Sequence, residues 1–181
     1  MATVCERITA LREKMKENGI TVYVVPSTDC HESEYVCPHY RARAYMTGFT
    51  GSAGTAVITM DKAGLWTDGR YFLQAEDQLR GTGIHLFRMG EPGGPTVEEY
   101  VKAELCAGGC VGFDAKTMGA VSADKFRESA MEKGGSIYTE KDLVGEIWPD
   151  RPQIPDEKYI AALSSSVIST SGLMLRINLT R

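Results

Sequence analysis

Histidine is scarce in this sequence, with three residues in 181. A two-metal hydrolytic centre draws several carboxylates from separate strands, with histidine in support, so three dispersed histidines make such a centre hard to build. Apolar runs of membrane-spanning length are missing, which argues against a transmembrane segment. No charge of one sign dominates: 20 Lys and Arg stand against 24 Asp and Glu, a formal charge of -4. A mildly acidic chain is a poor fit to nucleic acid or to an anionic membrane surface, so neither is expected as a partner. The five cysteines are an odd number in an ordinary globular composition, and they read as reduced thiols, not as a disulfide framework. Cys106 and Cys110 have a C-x3-C spacing but lack a second Cys or His pair at zinc-finger distance. The first residues mix Glu6, Arg7, Arg12, Glu13 and Lys14 among apolar ones, unlike a signal peptide, and a cytoplasmic location is expected. There is no internal repeat.

What is present suits a packed α/β domain. Hydrophobic residues make up 43% of the chain, enough for a core. Val4 to Gly19 has helical periodicity with Ile8, Leu11 and Met15 on one face, and Asn18-Gly19 supplies a stop. Thr21 to Val25 is a β-rich run ended by Pro26. Thr55–Met60 and Gly64–Thr67 read as a hairpin around Asp61-Lys62. Arg70–Leu79 is expected to be helical, capped by Asp68, and Ile84–Met89 to be a strand. Thr96 and Glu99 form a capping box for a helix running to Leu105. Val111–Asp114 is a strand, Ser122 is the expected cap of a helix ending at Gly134-Gly135, Ser136–Thr139 is a last strand, and Leu143–Trp148 a closing helix. Alternating strands and helices with an early hairpin imply an α/β fold with a mixed central β-sheet flanked by helices. Pro149, Pro152 and Pro155 end the pattern. We therefore expect one domain over residues 1–152, with 153–181 as a linker or divergent tail that is mobile and trimmed first by proteases.

Four constellations bear on chemistry. The run Gly48-Phe49-Thr50-Gly51-Ser52-Ala53-Gly54 suggests a phosphate loop, but it leads into a strand and lacks the Lys-Ser/Thr of a Walker loop. It also fails as a nucleophile elbow, since Thr50 stands where G-x-S-x-G needs glycine. It reads as a turn built on Gly48, Gly51, Ser52 and Gly54 that lets backbones approach closely. Asp29, His31, Glu34 and Tyr35, with His39 beyond, offer metal-ligand chemistry, yet a hydrogen-bonded polar loop is the better reading. In Trp66–Phe72, Arg70 sits unfavourably at a helix start beside Asp68 and Tyr71, and should pair with Glu34 or Asp29 inside the fold. The neighbours Cys30-His31 and Cys37-His39 do not make a thiol-protease site, since no orienting Asn or Asp accompanies them.

These segments resemble the Xaa-Pro aminopeptidases of the larger, three-domain cytosolic type. The resemblance is carried by Tyr23-Val24-Val25-Pro26-Ser27, Asp29, His31, Ser33-Glu34-Tyr35 and Arg43-Ala44-Tyr45. It continues through Gly48–Ala56, Leu65–Ala75 and Ile147–Pro152. It implies a creatinase/prolidase-type N-terminal domain followed by a second domain and a catalytic domain. That last domain would hold two divalent metals, usually manganese, and remove an N-terminal residue preceding proline. The resemblance places no metal ligand or catalytic residue in this chain and implies that it binds no cofactor and is inactive alone. Its expected partners are the other two domains; a homodimer stays open, and peptide substrate would be met only through the full enzyme. Asp29, His31, Glu34, Tyr35, Arg43, Asp68, Arg70 and Tyr71 are the expected polar cluster, structural or at an interface. Glu157–Arg181 does not match the Tyr-x-Gly segment that opens the family's second domain. The alternative is a stand-alone binding module that keeps the fold without the catalytic domain.

Overall fold

The computed structural model describes residues 2–33 and 35–154. Glu34 and the segment 155–181, on which the expectation of a mobile tail falls, lie outside the described residues.

The chain opens with helix α1, Val4–Glu17. Thr3 caps it through a reciprocal box: its hydroxyl accepts from the Glu6 amide, and the Glu6 carboxylate accepts from the Thr3 amide. This box satisfies two of the orphan amides of the first turn. Then follow β1 (Val22–Val25), a 3-10 turn (Pro38–Tyr40), α2 (Ala42–Thr47), β2 (Thr55–Thr59) and β3 (Ala63–Thr67). The second half comprises α3 (Phe72–Gln78), β4 (His85–Arg88), α4 (Val97–Glu104), β5 (Cys110–Phe113), α5 (Ala120–Glu132), β6 (Ser136–Tyr138) and α6 (Leu143–Glu146).

The strands form one mixed sheet in the order β4-β3-β2-β1-β5-β6. β2 runs antiparallel to β1 and β3, and every other pairing is parallel. Because side chains alternate along a strand, β1 divides its apolar residues between two layers. Tyr23 and Val25 face Leu11 and Met15 of α1, Met46 of α2, Ala75 of α3 and Leu143 of α6. Val22 and Val24 face Val101 at α4 and Phe126 and Ala130 of α5. With both faces covered, β1, β3 and β5 are buried along their whole length, whereas the outer strands β4 and β6 are partly exposed. Arg12 of α1 pins the hairpin turn, donating to the carbonyls of Thr59 (2.8 Å) and Lys62 (3.0 Å).

Three local expectations are corrected. α2 was not anticipated: it is six residues long, has no side-chain cap at its start and buries Arg43, so no apolar stripe marks it. Asp68 does not cap α3, which begins four residues later behind Tyr71, because the Asp68 carboxylate is engaged by Arg70. Ser122 lies inside α5, whose N-cap is Gly119.

Candidate functional edge

The parallel strands β1, β3, β4, β5 and β6 all end at one edge of the sheet, and β2 begins there. The connection from β1 leads to β2 on one side, and that from β5 leads to β6 on the other. In open α/β sheets a crevice forms outside the strand ends where connections diverge in this way. A polar cleft of about 470 Å³ lies there, lined by Ser27, Thr28, Ser52, Arg70, Thr117 and Gly119. The Thr28 hydroxyl donates to the Thr117 carbonyl, tying the loop after β1 to the loop after β5.

Arg43 anchors the glycine-rich turn at this edge. Its Nε donates to Ser27 Oγ at 2.7 Å, and its guanidinium also donates to the carbonyls of Phe49 (2.6 Å) and Gly51. The Ser27 hydroxyl donates to the Gly54 carbonyl at 2.6 Å, and Thr67 donates to the Ala53 carbonyl at 2.7 Å. Burial pushes Arg43 down to about 10, so it stays charged at neutral pH. The geometry disposes of a phosphate loop, which presents free amides to its ligand. Here the amides of Phe49 and Thr50 are taken by Thr47 Oγ1 (3.1 Å) and Gln78 Oε1 (2.9 Å), and the carbonyls of Phe49 and Gly51 point in toward Arg43. Glycine is required by close approach: a Cβ on Gly54 would lie 2.6 Å from the Trp66 carbonyl oxygen, and one on Gly51 would enter the Phe49 ring. Ser52 shares a 2.7 Å hydrogen bond with the Tyr71 hydroxyl.

Asp29 organises the loop after β1. Its carboxylate accepts from the amides of His31 (2.9 Å) and Ser33 (3.0 Å). These bonds, the one from Ser33 foremost, hold it below the usual carboxylate range. Asp29 is therefore not the partner of Arg70, and Glu34 lies outside the described residues. Arg70 instead grips Asp68 with two bonds of 2.9 and 2.8 Å; Arg70 is exposed, at 69%, and Asp68 is half-buried. The expected pairing with Asp29 is thereby corrected, while the Glu34 alternative falls on a residue outside the described ones: a carboxylate two residues away captures the guanidinium at little cost in chain ordering.

The three histidines stay apart. His31 Nδ1 lies 3.2 Å from Cys30 Sγ, His39 Nδ1 lies 2.7 Å from the Pro152 carbonyl oxygen, and His85 packs edge-on against Phe87. Among the described residues, no group of three His, Cys, Asp or Glu side chains is placed to hold a metal ion. The described residues do not fit a metal centre.

The same edge carries exposed apolar side chains. Tyr35 follows β1, Leu73 opens α3 after β3, Met89 follows β4, and Val121 opens α5 after β5, all well exposed. Beside them an apolar cleft of about 340 Å³ is lined by Trp66, Met89, Pro95, Met118 and Phe126. Sequence reading did not single out Leu73 or Val121; the available signal was an apolar residue lying off the buried stripe of its helix. On the flank, Trp148 stacks on Tyr45 at 4.3 Å, and Arg151 binds both Asp142 and the His39 carbonyl.

Comparison with known proteins places this geometry. The creatinase/prolidase N-terminal domain family matches residues 7–139. The chain is 45% identical over 160 residues to aminopeptidase P2 of Arabidopsis thaliana, which covers 86% of this chain and 22% of that protein. It is 47% identical over 152 residues to a probable Xaa-Pro aminopeptidase P of Chaetomium globosum, covering 81% of this chain and 24% of that protein. Among solved structures it is similar to an X-prolyl aminopeptidase from Caenorhabditis elegans, a cytosolic enzyme with a di-nuclear active site. That match has a TM-score of 0.79 and 32% identity and covers 86% of this chain and 27% of the other. The chain thus spans about a quarter of the length of these relatives.

Proposed function

The chain belongs to the creatinase/prolidase N-terminal domain family, and from that premise we propose that it is the non-catalytic first domain of a metal-dependent Xaa-Pro aminopeptidase. Such an enzyme releases an N-terminal residue that precedes proline. The observation that carries this reading is the lopsided coverage: 86% of this chain matches aminopeptidase P2, against 22% of that protein. The domain is a scaffold whose rim of Tyr35, Leu73, Met89 and Val121 docks against the rest of the enzyme, near its substrate entrance or a subunit contact. The two metal ions, manganese by the resemblance, belong to that remainder, in keeping with the di-nuclear active site of the Caenorhabditis elegans relative. A cytoplasmic location is in keeping with the cytosolic Caenorhabditis elegans relative. No helix among the described residues is long and apolar enough to cross a membrane. No observation favours a stand-alone binding module.

The reading is tested by incubating the purified 181-residue chain with an Xaa-Pro-Xaa peptide and excess manganese. No release of the first residue above a protein-free blank is expected. Metal-dependent turnover that persists through repurification would overturn the proposal.

A further inference from the structure

Between the loops that follow β1 and β5, the polar cleft of about 470 Å³ holds a carboxylate that the aminopeptidase reading leaves unused. Glu32 lines this cleft together with Thr55, Arg70 and Ser122. The volume suits a small ligand, and the place is the one where open α/β sheets take theirs. The Asp29 carboxylate draws the amides of His31 and Ser33 around itself, and the Glu32 amide donates to the Asp29 carbonyl at 3.2 Å. This turn holds Glu32 at a φ of 54°, the only positive value among the described non-glycine residues. Backbone in that sparsely populated region persists only where its surroundings impose it. The Glu32 carboxylate reaches over Gly119, where a Cβ would strike it, and no hydrogen bond or ion pair among the described residues engages it.

The other walls supply donors. Asp68 clamps Arg70 through Nε and Nη2, which leaves Nη1 without an acceptor among the described hydrogen bonds. Thr55 and Ser122 are half-buried, and their hydroxyls make no hydrogen bond among the described residues. Because Asp68 already balances Arg70, the charge left over in the cleft is the negative one of Glu32. We propose that this cleft binds the free N-terminus of a peptide. The α-ammonium pairs with the Glu32 carboxylate, and the first carbonyl oxygens accept from Arg70 Nη1 and from the Thr55 and Ser122 hydroxyls. Carbonyls only accept, so they suit a wall of donors, and the ammonium only donates, so it suits the carboxylate. An anionic ligand would meet Glu32 and Asp68 as like charges. This binding belongs to the chain itself and does not depend on the aminopeptidase reading.

The test titrates the isotope-labelled 181-residue chain with trialanine amide and with its N-acetylated form, following backbone amide shifts by NMR. Saturable shifts centred on Glu32, Thr55, Gly119 and Ser122 are expected with the free peptide. Acetylation should weaken binding about fivefold, the upper worth of an accessible ion pair. Raising the pH through about 8, where an α-amino group loses its proton, should weaken the free peptide alone. Glu32→Gln should erase the difference between the two peptides, and Arg70→Gln should weaken both alike. Both positions are exposed, so neither substitution should move the urea midpoint. Propylamine, an ammonium without carbonyls, should bind more weakly than the free peptide. Equal affinity for the acetylated peptide, propylamine binding as tightly as the peptide, or shifts that never saturate would each overturn the inference.

Discussion

Replacing Arg43 by alanine is expected to lower the stability of the domain by about 3–5 kcal/mol, because each buried acceptor left unpaired costs about 1–3 kcal/mol. Arg43 is 4% exposed. It joins two segments through uncharged oxygens: Ser27 after β1, and the carbonyls of Phe49 and Gly51 in the glycine-rich turn. Its guanidinium also lies 4.7 Å from the Phe49 ring centre, a cation–π contact that truncation removes. Lysine should restore the charge but not the fork, since one ammonium cannot span acceptors spread across Ser27, Phe49 and Gly51. The expected order of urea midpoints is wild type, then Arg43→Lys, then Arg43→Ala. A midpoint for Arg43→Ala within error of the wild type would show that the turn holds itself together without the arginine.

Trp66→Ala should be about as severe, again about 3–5 kcal/mol, the range for emptying a large aromatic site. Trp66 sits in β3 at 1% exposure, stacks on Phe87 with ring centres 4.1 Å apart and meets Tyr100 edge-on at 4.9 Å. Its indole Nε1 donates to the Pro95 carbonyl at 2.8 Å, which links β3 to the turn before α4. Gly64 supplies the room, since a Cβ there would lie 2.7 Å from the Phe87 ring and 2.9 Å from that of Trp66. Trp66→Phe keeps much of the apolar contact and loses the hydrogen bond, so it should fall between the two in thermal unfolding. If phenylalanine is as damaging as alanine, the bond to Pro95 outweighs the packing; if both are silent, the core assignment fails.

The features legible in the sequence are those set by neighbours in the chain. The capping box at Thr96 and Glu99 is present as read, with bonds of 2.8 and 3.2 Å, because its partners are three residues apart. The buried runs at β1 and β5 and the β2–β3 hairpin were visible as continuous β-rich stretches between turn residues. Elements whose reason lies elsewhere in the molecule were not legible. α2 exists to deliver Arg43 under a turn that begins only after the helix ends, and a buried arginine erases the apolar pattern that would announce it. The docking of Arg151 onto the His39 carbonyl joins residues 112 apart, and nothing local to either one signals it. Arg70 was legible as misplaced, but its partner was not, since the choice between Asp68 and Asp29 turns on backbone geometry. Of the polar cluster, the described members near the strand ends share one edge because parallel strands end together, a consequence of topology and not of any single motif.

If this fold is the docking first domain of a longer aminopeptidase, as proposed, it should replace the corresponding domain of a relative. Residues 1–152 of this chain are substituted for the matching N-terminal segment of Arabidopsis thaliana aminopeptidase P2, which is 45% identical, and Xaa-Pro peptide hydrolysis is measured. Metal-dependent hydrolysis by the chimera is expected. That activity should be lost when Leu73→Glu is introduced into the graft, although the isolated domain with the same substitution keeps its urea midpoint. A folded chimera that hydrolyses nothing, or one indifferent to Leu73→Glu, would contradict the proposal.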